Sequence, residues 1–207
     1  MGDLKAIETV YNGYRFRSRL EARWAVFFDA MGIKYDYEKE GYDLGRGLLY
    51  LPDFWLPDLR SWVEIKPNEP SEIESEKCEL LSRQGNHNVL MLIGSIPSPQ
   101  DEITTLRPLS SGTRYIRYDS AMTGALHSHI AIYFGGGGFD YPYFWCQCPI
   151  CHRVSAEFMG ATERICNCID GDKGYCVATN SLLSAYESAR TARFEHGEIP
   201  LSLGGGF

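Results

Sequence analysis

The chain has 207 residues, of which 44% are hydrophobic and 13% aromatic, and its formal net charge is -7 at pH 7. This length and composition allow one sizeable core and a small additional module. The acidic charge argues against nonspecific coating of nucleic acid, so any such contact needs a local basic patch. No apolar run approaches the roughly 18 residues that span a bilayer, and residues 1–10 lack a signal-peptide pattern. We therefore expect a cytoplasmic protein with no membrane partner.

Helical and extended patterns alternate along the first half of the chain. A helix is predicted from an N-cap at Ser18 to Gly32, because large apolar residues recur there at helical spacing. In chain order the predicted elements are this helix, extended segments at 33–38, 48–58 and 61–66, a helix at 71–85 and a buried strand at 89–94. This order predicts an α/β fold with a central mixed β-sheet flanked by helices.

The extended segment 61–66 places Glu64 and Lys66 on one face of a strand, with apolar residues on the other. Asp53 lies on the preceding extended segment, so its carboxylate can lie beside that of Glu64 on a neighbouring strand. Two such carboxylates make a hard oxygen site suited to Mg²⁺ or Mn²⁺. Lys66 could then position a water molecule or neutralise charge that develops on a phosphate.

Asp53 after a proline, the Glu64-x-Lys66 motif on the next strand and a preceding helix that bears Glu21 resemble the PD-(D/E)XK nuclease superfamily. The resemblance covers residues 10–95 and includes the order of the elements, which implies a restriction-endonuclease-like fold. It implies that Glu21, Asp53 and Glu64 gather a divalent metal ion and that Lys66 assists the attacking water. The implied function is a metal-dependent endonuclease that hydrolyses DNA phosphodiester bonds.

Arginines crowd the start of the first predicted helix. Arg15, Arg17 and Arg19 could grip backbone phosphates of DNA next to the metal ion, although a charge run can also be a solvated face. The surrounding segment 14–29, YRFRSRLEARWAVFFD, is similar to small phage and actinobacterial members of the superfamily.

Each candidate residue also has a purely structural interpretation. Ser18 and Glu21 have the spacing of a capping box, Asp53 could cap a turn, and Lys66 could serve only as the ion-pair partner of Glu64. The alternative function is then a non-catalytic protein- or nucleic-acid-binding module that retains the nuclease fold, such as a phage factor acting on a host protein. The acidic net charge favours a protein partner. The sequence does not distinguish DNA from RNA as substrate.

Six of the seven cysteines lie in the C-terminal third of the chain, which in a cytosolic protein indicates a metal site rather than disulfides. The spacings C-x-x-C and C-x-C suit two knuckles around a tetrahedral zinc ion with a structural role. The predicted ligands are Cys148, Cys151, Cys166 and Cys168, and the alternative ligands are Cys146, His152 and Cys176.

Two units are predicted from these patterns. Residues 1–120 form the nuclease-like core, and residues 121–207 form a zinc-binding module with a closing C-terminal helix. The glycine-rich segment 135–143 is typical of a flexible linker. Two extended runs, 113–119 and 129–134, belong either to the core or to the appended module.

Overall fold

The protein is described here from a computed structural model. It covers residues 6–85, 87–97, 105–108, 114–117, 131–134, 142–148, 150–158, 165–168 and 177–194. Within these residues a seven-stranded mixed sheet forms the centre of the fold, and helices pack against it.

The described helices are α1 (Arg19–Ala30), α2 (Glu72–Gly85) and α3 (Asn180–Thr191), and a 3₁₀ turn covers Pro57–Leu59. The first eight strands are β1 (Thr9–Tyr11), β2 (Tyr14–Phe16), β3 (Asp36–Tyr37), β4 (Tyr42–Asp43), β5 (Leu49–Tyr50), β6 (Phe54–Leu56), β7 (Ser61–Lys66) and β8 (Asn88–Ile93). The remaining described strands are β9 (Thr105–Pro108), β10 (Arg114–Arg117), β11 (Ala131–Phe134), β12 (Pro142–Gln147), β13 (Val154–Phe158) and β14 (Val177–Thr179). In this part of the chain, every helix is too short or too polar to cross a membrane.

The central sheet has the strand order β13-β12-β11-β8-β7-β6-β3. Strands β7 and β8 are parallel and are joined through α2, whereas the other neighbouring strands pair antiparallel. A parallel pair needs a long crossover connection, and α2 supplies it. The predicted mixed α/β class is confirmed, whereas its assignment to the restriction-endonuclease-like fold stays a prediction.

The two central strands are buried on both faces, as the apolar run at β8 predicts. Because side chains alternate along a strand, the two strands contribute to two separate core clusters. Val63 and Leu90 lie in the cluster that contains residues of α1 and α3. Trp62 and Met91 lie in the cluster that contains residues of α2. The sheet therefore separates an α1–α3 face from an α2 face.

Strands from both predicted units share the central sheet. Strand β11 pairs with β8, with Ala131 opposite Leu92, and β12 and β13 extend the sheet beyond β11. The segment 121–207 thus supplies part of this sheet as well as the cysteine cluster. Strand β12 begins within the predicted linker 135–143, at residue 142, and the rest of that segment lies outside the described residues.

Helix α1 begins and ends where its local signals predict. The Ser18 side chain accepts a hydrogen bond from the Glu21 amide, which caps the N-terminus. At the other end the Ile33 amide donates to the Phe28 carbonyl at 2.8 Å, and Gly32 adopts φ +68°. These features form a Schellman motif, which favours glycine because of its left-handed backbone conformation.

Helix α1 packs against α3 through aromatic side chains. The ring of Phe27 stacks on that of Tyr186, with 4.8 Å between their centroids, and it also contacts Trp145 of β12. Phe27 is fully buried. One ring therefore connects both helices to the sheet, so its removal leaves a cavity at the junction of three elements.

We expect Phe27→Ala to lower the free energy of unfolding by about 3 to 5 kcal/mol, since it removes a buried ring and leaves a cavity. The measurement is chemical denaturation followed by circular dichroism. Ile73→Ala is the control, because Ile73 is exposed on α2 and its truncation should change stability by less than about 0.5 kcal/mol. Equal stability of the two variants would contradict the packing described for α1 and α3.

Candidate active site and cysteine cluster

The predicted acids Glu21, Asp53 and Glu64 are all buried around the start of β6 and the end of β7. The negative charges of both Glu64 and Glu21 act on the Asp53 carboxylate. Glu64 is on the same face of β7 as Trp62, towards α2, whereas Glu21 extends from α1 on the opposite face. The two acids whose charges act on Asp53 therefore come from opposite sides of the sheet.

Asp53 is held by two strong donors. Its Oδ1 accepts a hydrogen bond from Arg17 Nη2 at 2.7 Å, and its Oδ2 accepts one from the Ile65 backbone amide, also at 2.7 Å. Burial raises the pKa of Asp53 well above its ordinary value of 3.8, and the charges of Glu64 and Glu21 raise it further. The Asp53 side chain thus makes long-range contacts and is more than a turn cap.

Glu64 and Lys66 form the ion pair that their spacing predicts. Lys66 Nζ lies 2.9 Å from Glu64 Oε1 and 2.7 Å from Glu74 Oε1 at the start of α2. Burial alone would lower the pKa of Lys66, but the two carboxylates outweigh it and the pKa is raised. The hydrogen bond from Lys66 lowers the pKa of Glu74 to about 2. Lys66 is therefore a fixed, positively charged group at neutral pH.

A tyrosine and a cysteine fix the second oxygen of Glu64. The Tyr50 hydroxyl donates to Glu64 Oε2 at 2.9 Å, and its oxygen lies 3.2 Å from Cys78 Sγ. The hydroxyl carries one hydrogen, and it is used in the hydrogen bond to the carboxylate. The Cys78 thiol is therefore the donor to the Tyr50 oxygen. Burial raises the pKa of both Tyr50 and Cys78, which keeps this chain of donors protonated.

Glu21 combines a capping role with its place near Asp53. Its Oε1 accepts a hydrogen bond from Ser18 Oγ at 2.7 Å, and its Oε2 accepts one from the Tyr37 hydroxyl at 2.5 Å. The Arg17 backbone amide also donates to Oε2, at 3.1 Å. The structural interpretation of Glu21 therefore holds, and the same side chain adds negative charge near Asp53.

The three arginines predicted to bind phosphate have different surroundings. Arg15 pairs with Glu8, with 2.9 Å between Nε and Oε2, and both side chains are exposed. Arg17 pairs with Asp53 and, through Nε at 2.6 Å, with Glu38. Arg19 Nε is buried without a hydrogen-bond partner among the described residues. Arg17 is thus the arginine in direct contact with a predicted metal ligand.

Tyr37, Tyr50 and Glu74 bond to the predicted acids and to Lys66, and the sequence did not predict these contacts. The spacing of Ser71 and Glu74 is that of a capping box, and it could have indicated Glu74 as a residue placed just after the end of β7. The tyrosines carry no comparable local signal, because their hydroxyl groups reach across separate strands.

The cysteine cluster has the geometry of a metal site. The ligand atoms of Cys148, Cys151, Cys166 and Cys168 all lie within 4.8 Å of one another, so these four residues could hold a metal ion such as zinc. Among the described residues, Glu21, Asp53 and Glu64 do not form a comparable group.

The backbone around Cys148 forms a tight knuckle. Its Sγ accepts hydrogen bonds from the amides of Ile150 and Cys151, each at 3.4 Å. A backbone hydrogen bond from Arg153 lowers the pKa of Cys151 to about 7, which favours the thiolate that zinc binds.

The alternative zinc ligands lie elsewhere or outside the described residues. Cys146 is buried in β12, and its Sγ contacts the Ser155 carbonyl at 3.6 Å. His152 is exposed and is not part of the cluster, and Cys176 lies outside the described residues.

The cysteine loop lies against the body of the fold. A cleft of about 370 Å³ is bounded by Gly32 at the end of α1, by Leu59 and by residues 152–155. The loop that carries Cys148 and Cys151 is therefore a neighbour of α1 and of the turn before β7.

No family model matches the sequence, and no curated protein or solved structure shows significant similarity to the chain. Membership of the PD-(D/E)XK superfamily thus stays a prediction that depends on the motif residues.

We expect the purified protein to contain one zinc ion per chain, because four thiolates complete a tetrahedral site. Cys148→Ser should lose most of the metal and should melt at a lower temperature, since metal binding contributes to folding. Zinc content is measured by mass spectrometry of the metal. Cys78→Ser, in α2, is the control and should keep its zinc. Full zinc content in Cys148→Ser would contradict this assignment.

Asp53 should make stability depend on pH. The pKa of Asp53 is higher in the folded protein than the ordinary 3.8. Between pH 3.8 and the pKa of the folded protein, the folded state therefore binds more protons than the unfolded state. The contribution of Asp53 to stability therefore falls as pH rises through this window. We expect the free energy of unfolding of the wild type to decrease relative to that of Asp53→Asn as the pH rises above the ordinary pKa of 3.8.

The measurement is urea denaturation of zinc-loaded protein without added Mg²⁺, at a series of pH values. The difference between the variants cancels the pH dependence of the zinc site, which both proteins share. Asp58→Asn, which removes an exposed acid away from Asp53, is measured alongside as the control. Parallel pH profiles for the wild type and Asp53→Asn would show that Asp53 titrates normally.

Proposed function

We propose that the chain is a Mg²⁺- or Mn²⁺-dependent endonuclease that hydrolyses phosphodiester bonds of DNA. The observation that carries the proposal is the buried Asp53–Glu64 pair with Lys66 fixed 2.9 Å from Glu64. Two carboxylates next to a positively charged donor match the needs of phosphoryl chemistry, in which charge develops on phosphate oxygens. A structural zinc ion in the cysteine cluster accompanies this site in the proposal.

An excess of negative charge supports a divalent cation at this position. The carboxylates of the site and its immediate contacts are Glu21, Glu38, Asp53, Glu64 and Glu74, and the paired cations are Arg17 and Lys66. Burial raises the pKa of Asp53, and repulsion from the negative charges of Glu64 and Glu21 raises it further. A hard cation bound by Asp53 and Glu64 would relieve this repulsion.

The roles of the protein groups follow from their fixed positions. Asp53 and Glu64 would hold the ion, and Glu21 would add negative charge from the α1 side without direct contact. The bound ion would supply Lewis-acid charge at a phosphate oxygen and a more acidic water. Lys66 is protonated at neutral pH, so it would donate a hydrogen bond to the nucleophilic water or to the phosphate rather than accept a proton.

One observation favours the alternative of a non-catalytic binding module. Both acids of the proposed metal site already have protein donors, since Asp53 bonds to Arg17 and the Ile65 amide, and Glu64 bonds to Tyr50. Such a network can be stable without a metal ion, as in a protein that keeps the fold to bind a protein or a nucleic acid. In that case the Glu64→Ala variant would still bind the protein or nucleic-acid partner.

The test is incubation of the zinc-loaded protein with supercoiled plasmid, linear duplex, single-stranded DNA and RNA, with and without Mg²⁺ or Mn²⁺. We expect cleavage that requires the added cation. Asp53→Ala and Lys66→Ala should each reduce the rate by about 10²- to 10³-fold, because each removes a group that acts on the reacting phosphate.

Lys77→Ala is the matched control, because Lys77 is a lysine of α2 outside the contacts of the site. Circular dichroism and zinc content show that each variant is folded. Cleavage at the wild-type rate by the Asp53 and Lys66 variants would overturn the proposed site. Absence of cleavage on every substrate would favour the binding-module alternative.

A further inference from the structure

Arg17 occupies the position where a cation would approach Asp53. The guanidinium Nη2 lies 2.7 Å from Asp53 Oδ1, whereas Oδ2 is used by the Ile65 amide inside the sheet. Oδ1 is therefore the oxygen left for a metal ion, and Arg17 already contacts it. A guanidinium and a divalent ion carry charge of the same sign, so their binding to one oxygen is competitive.

We propose that Arg17 is a displaceable counter-ion: it neutralises Asp53 in the metal-free protein and moves to a backbone phosphate of the nucleic acid when the divalent ion binds. This inference rests on the proposed function, and it adds a specific partner group and a regulatory contact to that site. Phosphate is a suitable second partner, because a guanidinium can donate two parallel hydrogen bonds to its oxygens.

The environment of Arg17 allows its side chain to move while its backbone stays in place. The side chain is 54% exposed, whereas that of Asp53 is 4% exposed. The Arg17 amide donates to Glu21 Oε2 at 3.1 Å and to the Tyr37 hydroxyl at 3.0 Å, which anchors the main chain just before α1. Movement of the guanidinium thus requires rotation about side-chain bonds and no change in the fold.

Lys66 is the other cation of the site, and it is less suited to such exchange. Its side chain is 21% exposed and lies between Glu64 and Glu74. The Arg17 side chain, at 54% exposure, is the more accessible of the two cations to a phosphate in solvent.

The first test measures binding of Mg²⁺ alone to the zinc-loaded full chain by calorimetry at pH 8. Arg17→Gln removes the competing charge, so we expect it to bind Mg²⁺ more tightly than the wild type, by about fivefold. Asp53→Asn should bind Mg²⁺ much more weakly. Arg83→Gln is the matched control, because Arg83 is an exposed arginine of α2 that pairs with Glu79, and it should bind as the wild type does.

The second test measures binding of a labelled DNA duplex by fluorescence anisotropy in Ca²⁺, which also takes oxygen ligands. We expect Arg17→Gln to bind the duplex more weakly than the wild type by several-fold, since one phosphate contact is lost. The two effects of one substitution have opposite signs. Loss of a merely structural salt bridge would not strengthen metal binding.

Two results overturn the inference, and they are distinct. Equal or weaker Mg²⁺ binding by Arg17→Gln, with binding lost in Asp53→Asn, would show that Arg17 does not compete with the metal and would leave the proposed nuclease site intact. Equal Mg²⁺ binding by the wild type and Asp53→Asn would remove the metal site itself, and with it both the proposed function and the role of Arg17.

Discussion

The hydrogen bond from the Ile65 amide to Asp53 Oδ2 is the contact on which the arrangement of the site depends. Strand β6 pairs with β7 only as far as Phe54, which lies opposite Val63. Beyond this point Pro52 has no amide hydrogen to donate to β7, and the Ile65 amide of β7 donates to the Asp53 side chain instead of to a strand carbonyl. The pairing of β6 with β7 therefore ends before Asp53, and the Asp53 carboxylate replaces a backbone acceptor of the strand ladder.

This end of the β6–β7 pairing explains why acids can be buried at the centre of the fold. The continuation of β7 carries Glu64 and Lys66 past the end of β6, towards α2, so their side chains meet Tyr50 and Glu74. A buried carboxylate is costly unless charged or hydrogen-bonded groups compensate it. The donors at Glu64 supply this compensation, whereas the raised pKa of Asp53 shows that its compensation is incomplete. Such imbalance is common at functional sites.

Local signals were sufficient to predict the elements that carry the candidate site. Ser18 and Gly32 mark the ends of α1, and the alternation in 61–66 correctly places Glu64 and Lys66 on one face of β7. The periodicity of α1 shows that one of its faces is buried, but it does not show against which side of the sheet. The sequence therefore could not reveal that Glu21 and Glu64 approach from opposite faces.

Contacts between distant segments were the part that could not be predicted. Arg17 and Asp53 are far apart in the chain, and the choice between a phosphate and a carboxylate partner depends on how α1 packs. The pairing of β11 with β8 is also nonlocal, and the short apolar run 129–134 fits a core strand and an appendage equally well. Strand pairing follows from the whole topology, which a local pattern does not encode.

The cysteine cluster is connected to the candidate site through a short series of packed elements. Cys148 follows β12 directly, and its neighbour Gln147 accepts a hydrogen bond from Thr179, the N-cap of α3. Helix α3 packs on α1 through Tyr186, and α1 carries Glu21 beside Asp53. A metal ion that fixes the turn between β12 and β13 would therefore stabilise the base of α3, and through it the helix that borders the carboxylates. A structural role for this ion and a catalytic role for the acids are thus compatible in one fold.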